Sequence, residues 1–100
     1  MDNRVVIAGN VARAPETRCS PAGVPIGRFT LTHQSEQSEA GMQRQVVCEV
    51  SVVAAGEALQ GALRQLREGT GVRVQGFLGR AHSRRDDRLV LHAQQIELTE

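Results

Sequence analysis

Residues 71–98 alternate with a period of two on both sides of a polar break, and that pattern leaves little choice of local structure. Val72, Val74, Gly76 and Leu78 fall on one face, and Arg73, Gln75 and Phe77 on the other. After the break, Leu89 and Leu91 share a face. The phase then slips at Gln94-Gln95, so that Ile96 and Leu98 become the apolar pair. Successive strand side chains point to opposite faces, so two alternating runs about a polar break specify a β-hairpin. A slip of phase within a strand predicts a β-bulge, which bends the strand as closure of a small barrel requires. The break is rich in charge: Arg80, Arg84, Arg85 and Arg88 are four of the twelve basic residues.

The preceding chain follows the same period until residue 53. Arg4–Val11 is a strand with Val5, Ile7, Gly9 and Val11 on one face and Arg4, Val6, Ala8 and Asn10 on the other. Both faces are fairly apolar, so the second is expected to pack beyond its own core. Gly9 within the run predicts close backbone approach. Proline cannot donate to a ladder, so Ala14-Pro15 ends the strand. Residues 16–25 read as a loop turning at Ser20-Pro21-Ala22-Gly23. Ile26–His33 is a second strand, with Phe29 and Leu31 inward and Arg28, Thr30 and Thr32 outward. Residues 34–41 are polar and read as a solvated loop or hairpin tip. Met42–Val53 is a third strand: Val46, Cys48, Val50 and Val52 face the core, Gln45, Val47, Glu49 and Ser51 face out.

The period then changes. Leu59, Ala62, Leu63 and Leu66 stand three and four apart within Glu57–Arg67, one face of a helix. Glu57 suits the first turn and Arg64 and Arg67 the last, and Gly69 is a stop. The apolar stripe suits a plug at one end of a barrel. Three strands, a short helix between the third and fourth, and two more strands make an all-β chain. The arrangement is that of a five-stranded OB-fold Greek-key barrel, one domain over residues 1–100.

Composition limits the function. The net charge is +1, so attraction to a polyanion must come from local clustering. All twelve basic residues are arginine and none is lysine, which favours bidentate phosphate contacts and stacking, although genomic composition bias gives the same result. Cys19 and Cys48 read as free thiols, Cys48 as a small buried hydrophobe. No CxxC pair or His/Cys cluster has metal-ligand spacing, so no metal or other cofactor is expected. No apolar run approaches the ~20 residues of a membrane span. Met1-Asp2-Asn3-Arg4 leads straight into a strand, and a cytoplasmic protein is expected.

Specific segments add to this. NRVVIAGNVARAP, SPAGVP, EAGMQRQVVC, VQGF and LVLHAQQIEL follow one another over nearly the whole length. In these the chain resembles the PriB family, the primosomal N proteins of bacterial replication restart. The resemblance implies an OB-fold homodimer related to bacterial single-stranded DNA-binding protein. It implies binding to single-stranded DNA, binding and stimulation of the restart helicase PriA, and a later partner, DnaT. It also implies no catalysis.

Two ring positions of the family on the third strand are Met42 and Val47 here. Loop lysines of the family correspond to Arg84 and Arg88, with a third position near Ala81-His82. Base stacking on a ring contributes roughly 1–3 kcal/mol per base. The chain has no Trp, no Tyr and two Phe. Phe29 falls inward, and Phe77 falls outward, where packing against a partner subunit is the expected role. Weak, mainly electrostatic binding is therefore expected. Segment 80–88 sets four arginines against Asp86 and Asp87, a local charge of +2. Arg13, Arg18, Arg28 and Arg44 add a second stripe beside the second and third strands. Arg28 and Val47 lie on the outward face by parity, the usual OB-fold ligand face.

Two other classes compete. The loop alone also reads as a solvated tip whose Asp86 and Asp87 pair with neighbouring arginines. The second class is a protein-interaction module: with its rings lost, the same ligand face chiefly contacts PriA. An enzyme is the third class, with His33, His82 and His92 as acid–base candidates. His92 lies between Leu91 and Ala93 in a strand and reads as a hydrogen-bonded structural residue. The carboxylates show no hydrolytic pairing, and no glycine-rich phosphate loop precedes a helix.

Overall fold

The computed structural model describes residues 1–81 and 88–99. Its strands are β1 (Val5–Val11), β2 (Glu16–Cys19), β3 (Pro25–Glu39), β4 (Met42–Ala55), β5 (Gly71–Arg80) and β6 (Leu89–Leu98). A 3₁₀ turn, Glu57–Leu59, runs into a one-turn helix α1 (Gln60–Leu63) between β4 and β5. Hydrogen bonding passes from β1 to β3, β4, β6, β5 and back to β1, which closes a five-stranded barrel, the OB-fold architecture. Each of these pairings is antiparallel except β4 with β6, which is parallel at Val52↔Leu91 and Val53↔His92.

The alternation of each strand delivers its inward row to one core. Val11, Phe29, Leu31, Val52, Ala54, Val72, Val74 and Leu91 are buried there together with Leu63 and Leu66 from the helical segment. A buried side chain of this kind contributes roughly 1.5–3 kcal/mol. Leu63 seats over Gly27, where a Cβ would lie 2.5 Å from its Cδ1. The plug expected at one barrel end is therefore present, though its regular helix is shorter than residues 57–67. Gly61 lies inside it, and glycine costs about 1 kcal/mol in a helix relative to alanine. Arg67 Nη1 donates to the carbonyls of Arg64 and Leu66, and Gly69 has φ 89.

The phase slip in β6 is a bulge. Gln75 is opposite Gln95 while Gly76 is opposite Ala93, which leaves Gln94 without a partner across the ladder. Gly9 makes the close approach that its place in β1 predicts. A Cβ there would lie 2.1 Å from the carbonyl oxygen of Thr32.

Four expectations are corrected. Residues 16–19, read as loop, form β2 on the free edge of β3. Residues 34–41, read as a solvated loop or hairpin tip, are a hairpin, but only Ala40 and Gly41, at φ 54 and 75, form its turn and the β3–β4 ladder continues to Glu39↔Met42. Cys48, read as buried, is exposed, as is Cys19. It lies where the hairpin leaves the barrel, so an inward parity there meets no core. Leu89, read as inward, is 64% exposed at the barrel rim, and Val90 beside it is buried.

Gly9→Ala should lower the unfolding free energy by about 2–3 kcal/mol, since backbone cannot swing aside. Gly23→Ala, which meets open space but has φ 85, should cost about 1 kcal/mol. Urea denaturation of the two variants checks the difference. Both cysteines should react with a thiol reagent in the folded protein, at two thiols per chain.

Candidate nucleic-acid interface

The outward row of β3 carries Arg28, Thr30, Thr32 and Gln34, opposite Val53, Ser51, Glu49 and Val47 of β4. Strand register therefore places Arg28 and Val47 on one face, as parity predicts. Six residues of strand separate the levels of Val53 and Val47, roughly 20 Å. Val47 is 74% exposed on the hairpin arm, while Arg28 stands on the barrel wall.

A groove of about 530 Å³ lies between this face and the base of the β5–β6 hairpin. Arg28, Thr30, Glu49 and Ser51 line one side, and Leu78, Ala81, Arg88 and Leu89 the other. The hairpin ladder ends at Arg80↔Leu89, and Ala81 N donates to Arg88 O at 3.0 Å. The fold thus puts Arg28 and Arg88 on the two sides of one groove at the mouth of the barrel. Parity puts Glu49 and Ser51 on this outward face but does not identify Arg88 as their neighbour. The signal that was missing is which hairpin lies over which strand.

The other candidates are distributed unevenly. Arg13 and Arg28 line a shallower hollow of about 210 Å³ together with Glu16. Arg18 is exposed on β2, opposite Ile26, on the same face as Arg28. Glu16 is directly opposite Arg28, so carboxylate dilutes the positive charge of this stripe. Arg44 belongs to the other row of β4, away from Val47, and forms an ion pair with Glu39. Met42, 69% exposed, lies on that same row. Arg80 ends β5 on the exposed rim. His82, Arg84 and Arg85, with Asp86 and Asp87, lie outside the described residues.

Of the histidines, His33 is held by both nitrogens. Its Nδ1 donates to Ala8 O at 2.6 Å, and its Nε2 lies 2.7 Å from Ser35 Oγ. His92 is stacked on Phe77. Among the described residues no group of three His, Cys, Asp or Glu side chains is placed to hold a metal ion. No helix among them is long and apolar enough to cross a membrane.

A five-stranded barrel of this topology, with a groove over strands β3 and β4, is an OB-fold binding protein by class. Comparison with known proteins agrees with that class. The model of another single-strand binding protein family matches residues 3–95. Single-stranded DNA-binding protein from Thermus aquaticus shares the fold, with TM-score 0.81 at 24% identity over 99% of this chain and 50% of that one. More specific relatives fix the family. The replication restart protein PriB of Photorhabdus laumondii is 43% identical over 98 residues, covering 96% of this chain and 92% of its own. That of Escherichia coli K12 is 41% identical over 100 residues, covering 98% and 95%. The PriB structure from Ralstonia solanacearum superposes with TM-score 0.87 at 29% identity, with both chains fully covered. The chain belongs to the PriB family of replication restart proteins.

The Arg44–Glu39 pair is a surface pair, its side chains 62% and 64% exposed. Such pairs contribute little against solvent screening. Glu39→Gln should lower the unfolding free energy by no more than about 0.5 kcal/mol in a urea titration.

Proposed function

We propose that the chain is a non-catalytic, cytoplasmic accessory protein of a replication-restart primosome, acting as a single OB domain over residues 1–100. It binds single-stranded DNA weakly, with the phosphates following Arg28 and Arg88 and reaching Arg84 and Arg85 of the β5–β6 loop. Arg13 and Arg18 extend the track along β2. It binds and stimulates a PriA helicase and precedes DnaT, as a homodimer formed through β1. The exposed Val6 and Ala8 on the outer row of β1 support that contact.

The observation that carries the reading is that Arg28 and Arg88 line one groove on the face where OB-folds take their ligands. Arginine in a groove can meet successive phosphates bidentately. Weakness follows from composition: Glu16 and Glu49 oppose the charge, and Met42 and Val47 offer no ring. The same composition favours a second reading, in which PriA is the main ligand of this face and DNA a minor one.

Titration of a labelled oligonucleotide across a salt series, with and without PriA, separates the two. Contact through three or four arginines gives a log–log slope of about −2 to −3. Replacing Arg84 and Arg85 by Ala should weaken binding of every sequence alike. A slope near zero, or tight binding at high salt, contradicts the electrostatic mechanism. Stimulation of PriA that survives the double replacement favours the second reading.

A further inference from the structure

Four strands bring four outward side chains into one transverse row. Arg28 on β3 is opposite Val53 on β4, Val53 is opposite His92 on β6, and His92 is opposite Phe77 on β5. At a strand spacing of ~4.8 Å the row is roughly 14 Å long. The two rings at its end are stacked, with centroids 5.0 Å apart and planes inclined by 14°. Phe77 is 38% exposed. Gly79 makes the arrangement possible, since a Cβ there would lie 2.9 Å from His92 Nε2. The imidazole thus packs against Phe77 and over Gly79 of β5.

On the β4 side of His92 an apolar cup of about 120 Å³ opens, walled by Ile26, Val53, Ala55 and Val90, with Arg28 and His92 on either side of Val53. The cup is smaller than the roughly 150 Å³ apolar cavity that takes a benzene molecule, so a six-membered ring enters it only in part and extends into the adjoining groove. Arg28, Val53, Ala81 and Val90 line both the cup and the larger groove. The cup is thus a side chamber of the groove, with a guanidinium at their shared border.

We propose that this cup is a base-binding subsite: a pyrimidine of the bound single strand enters it and stacks on His92, which Phe77 backs, while its phosphate meets Arg28. The inference rests on the single-strand reading above and adds residues that lie outside the loop arginines. The adjoining charge selects this occupant. An apolar side chain from a second copy gains nothing from a guanidinium at the rim, whereas a nucleotide presents a flat ring and an anion together.

The test compares an oligothymidylate with an abasic oligomer of equal length, which keeps the phosphates and removes the bases. Wild-type protein should bind the first more tightly. His92→Ala removes the stacking surface, and Ala55→Leu, at the exposed end of β4, fills the cup and leaves His92 in place. Each should reduce the thymidylate-to-abasic affinity ratio roughly 5- to 10-fold with the salt slope unchanged. Thermal melts establish that both variants are folded. A ratio unchanged in both folded variants overturns the proposal. So does an unchanged ratio accompanied by loss of self-association in sedimentation, which assigns the row to a second copy. Equal binding of the two oligomers by wild type defeats this inference alone. Binding of neither defeats the single-strand reading and this subsite with it.

Discussion

The parallel contact between β4 and β6 is the constraint on which the molecule depends. It consists of two register pairs, Val52↔Leu91 and Val53↔His92. Without it, the β3–β4 and β5–β6 hairpins would be joined only through β1, and the sheet would have two open edges. Parallel neighbours cannot be linked by a tight turn. The helical segment and β5 provide the long route from β4 to β6, and Leu63 and Leu66 cover the barrel end on the way. That closure puts Arg28 and Arg88 on the two sides of one groove and lines up the row that ends at Phe77.

The charge pattern follows from the same geometry. A chain of net charge +1 has no general attraction for nucleic acid, so juxtaposition must do what composition does not. Folding gathers arginines from β3, the β1–β2 connection and the base of the β5–β6 hairpin around one face. It gathers Glu16 and Glu49 there as well, which restrains the local field. Meanwhile Arg44 is engaged with Glu39 on the other side of the arm. The result is a short run of arginines interrupted by carboxylates instead of a basic surface.

Most of the barrel was legible in the residue pattern because its strands have one buried and one open side. The bulge at Gln94, the close approach at Gly9 and the inward rows of β3 and β5 all follow from alternation. Where both sides of a strand face water, the signal disappears. Residues 34–39 and β2 carry mostly polar side chains on both faces, and 34–39 add to their backbone pairing only polar contacts such as Arg44 with Glu39. For the same reason parity misplaced Cys48, whose inward direction leads to solvent. The face of Arg28 was readable from its neighbours along the strand. Its partners across the sheet were not, because register between distant strands leaves no local trace.

The β3–β4 arm beyond Cys48 has a consequence for how such a protein changes over time. A two-stranded ribbon of this kind has no interior of its own, and its direction is inherited from the barrel that roots it. Side chains at Met42 and Val47 are mostly exposed, so a substitution there should change stability by no more than about 0.5 kcal/mol. Selection for a ligand can therefore act on the arm unopposed by selection for stability. The chemistry displayed on this ribbon can change while the barrel stays the same.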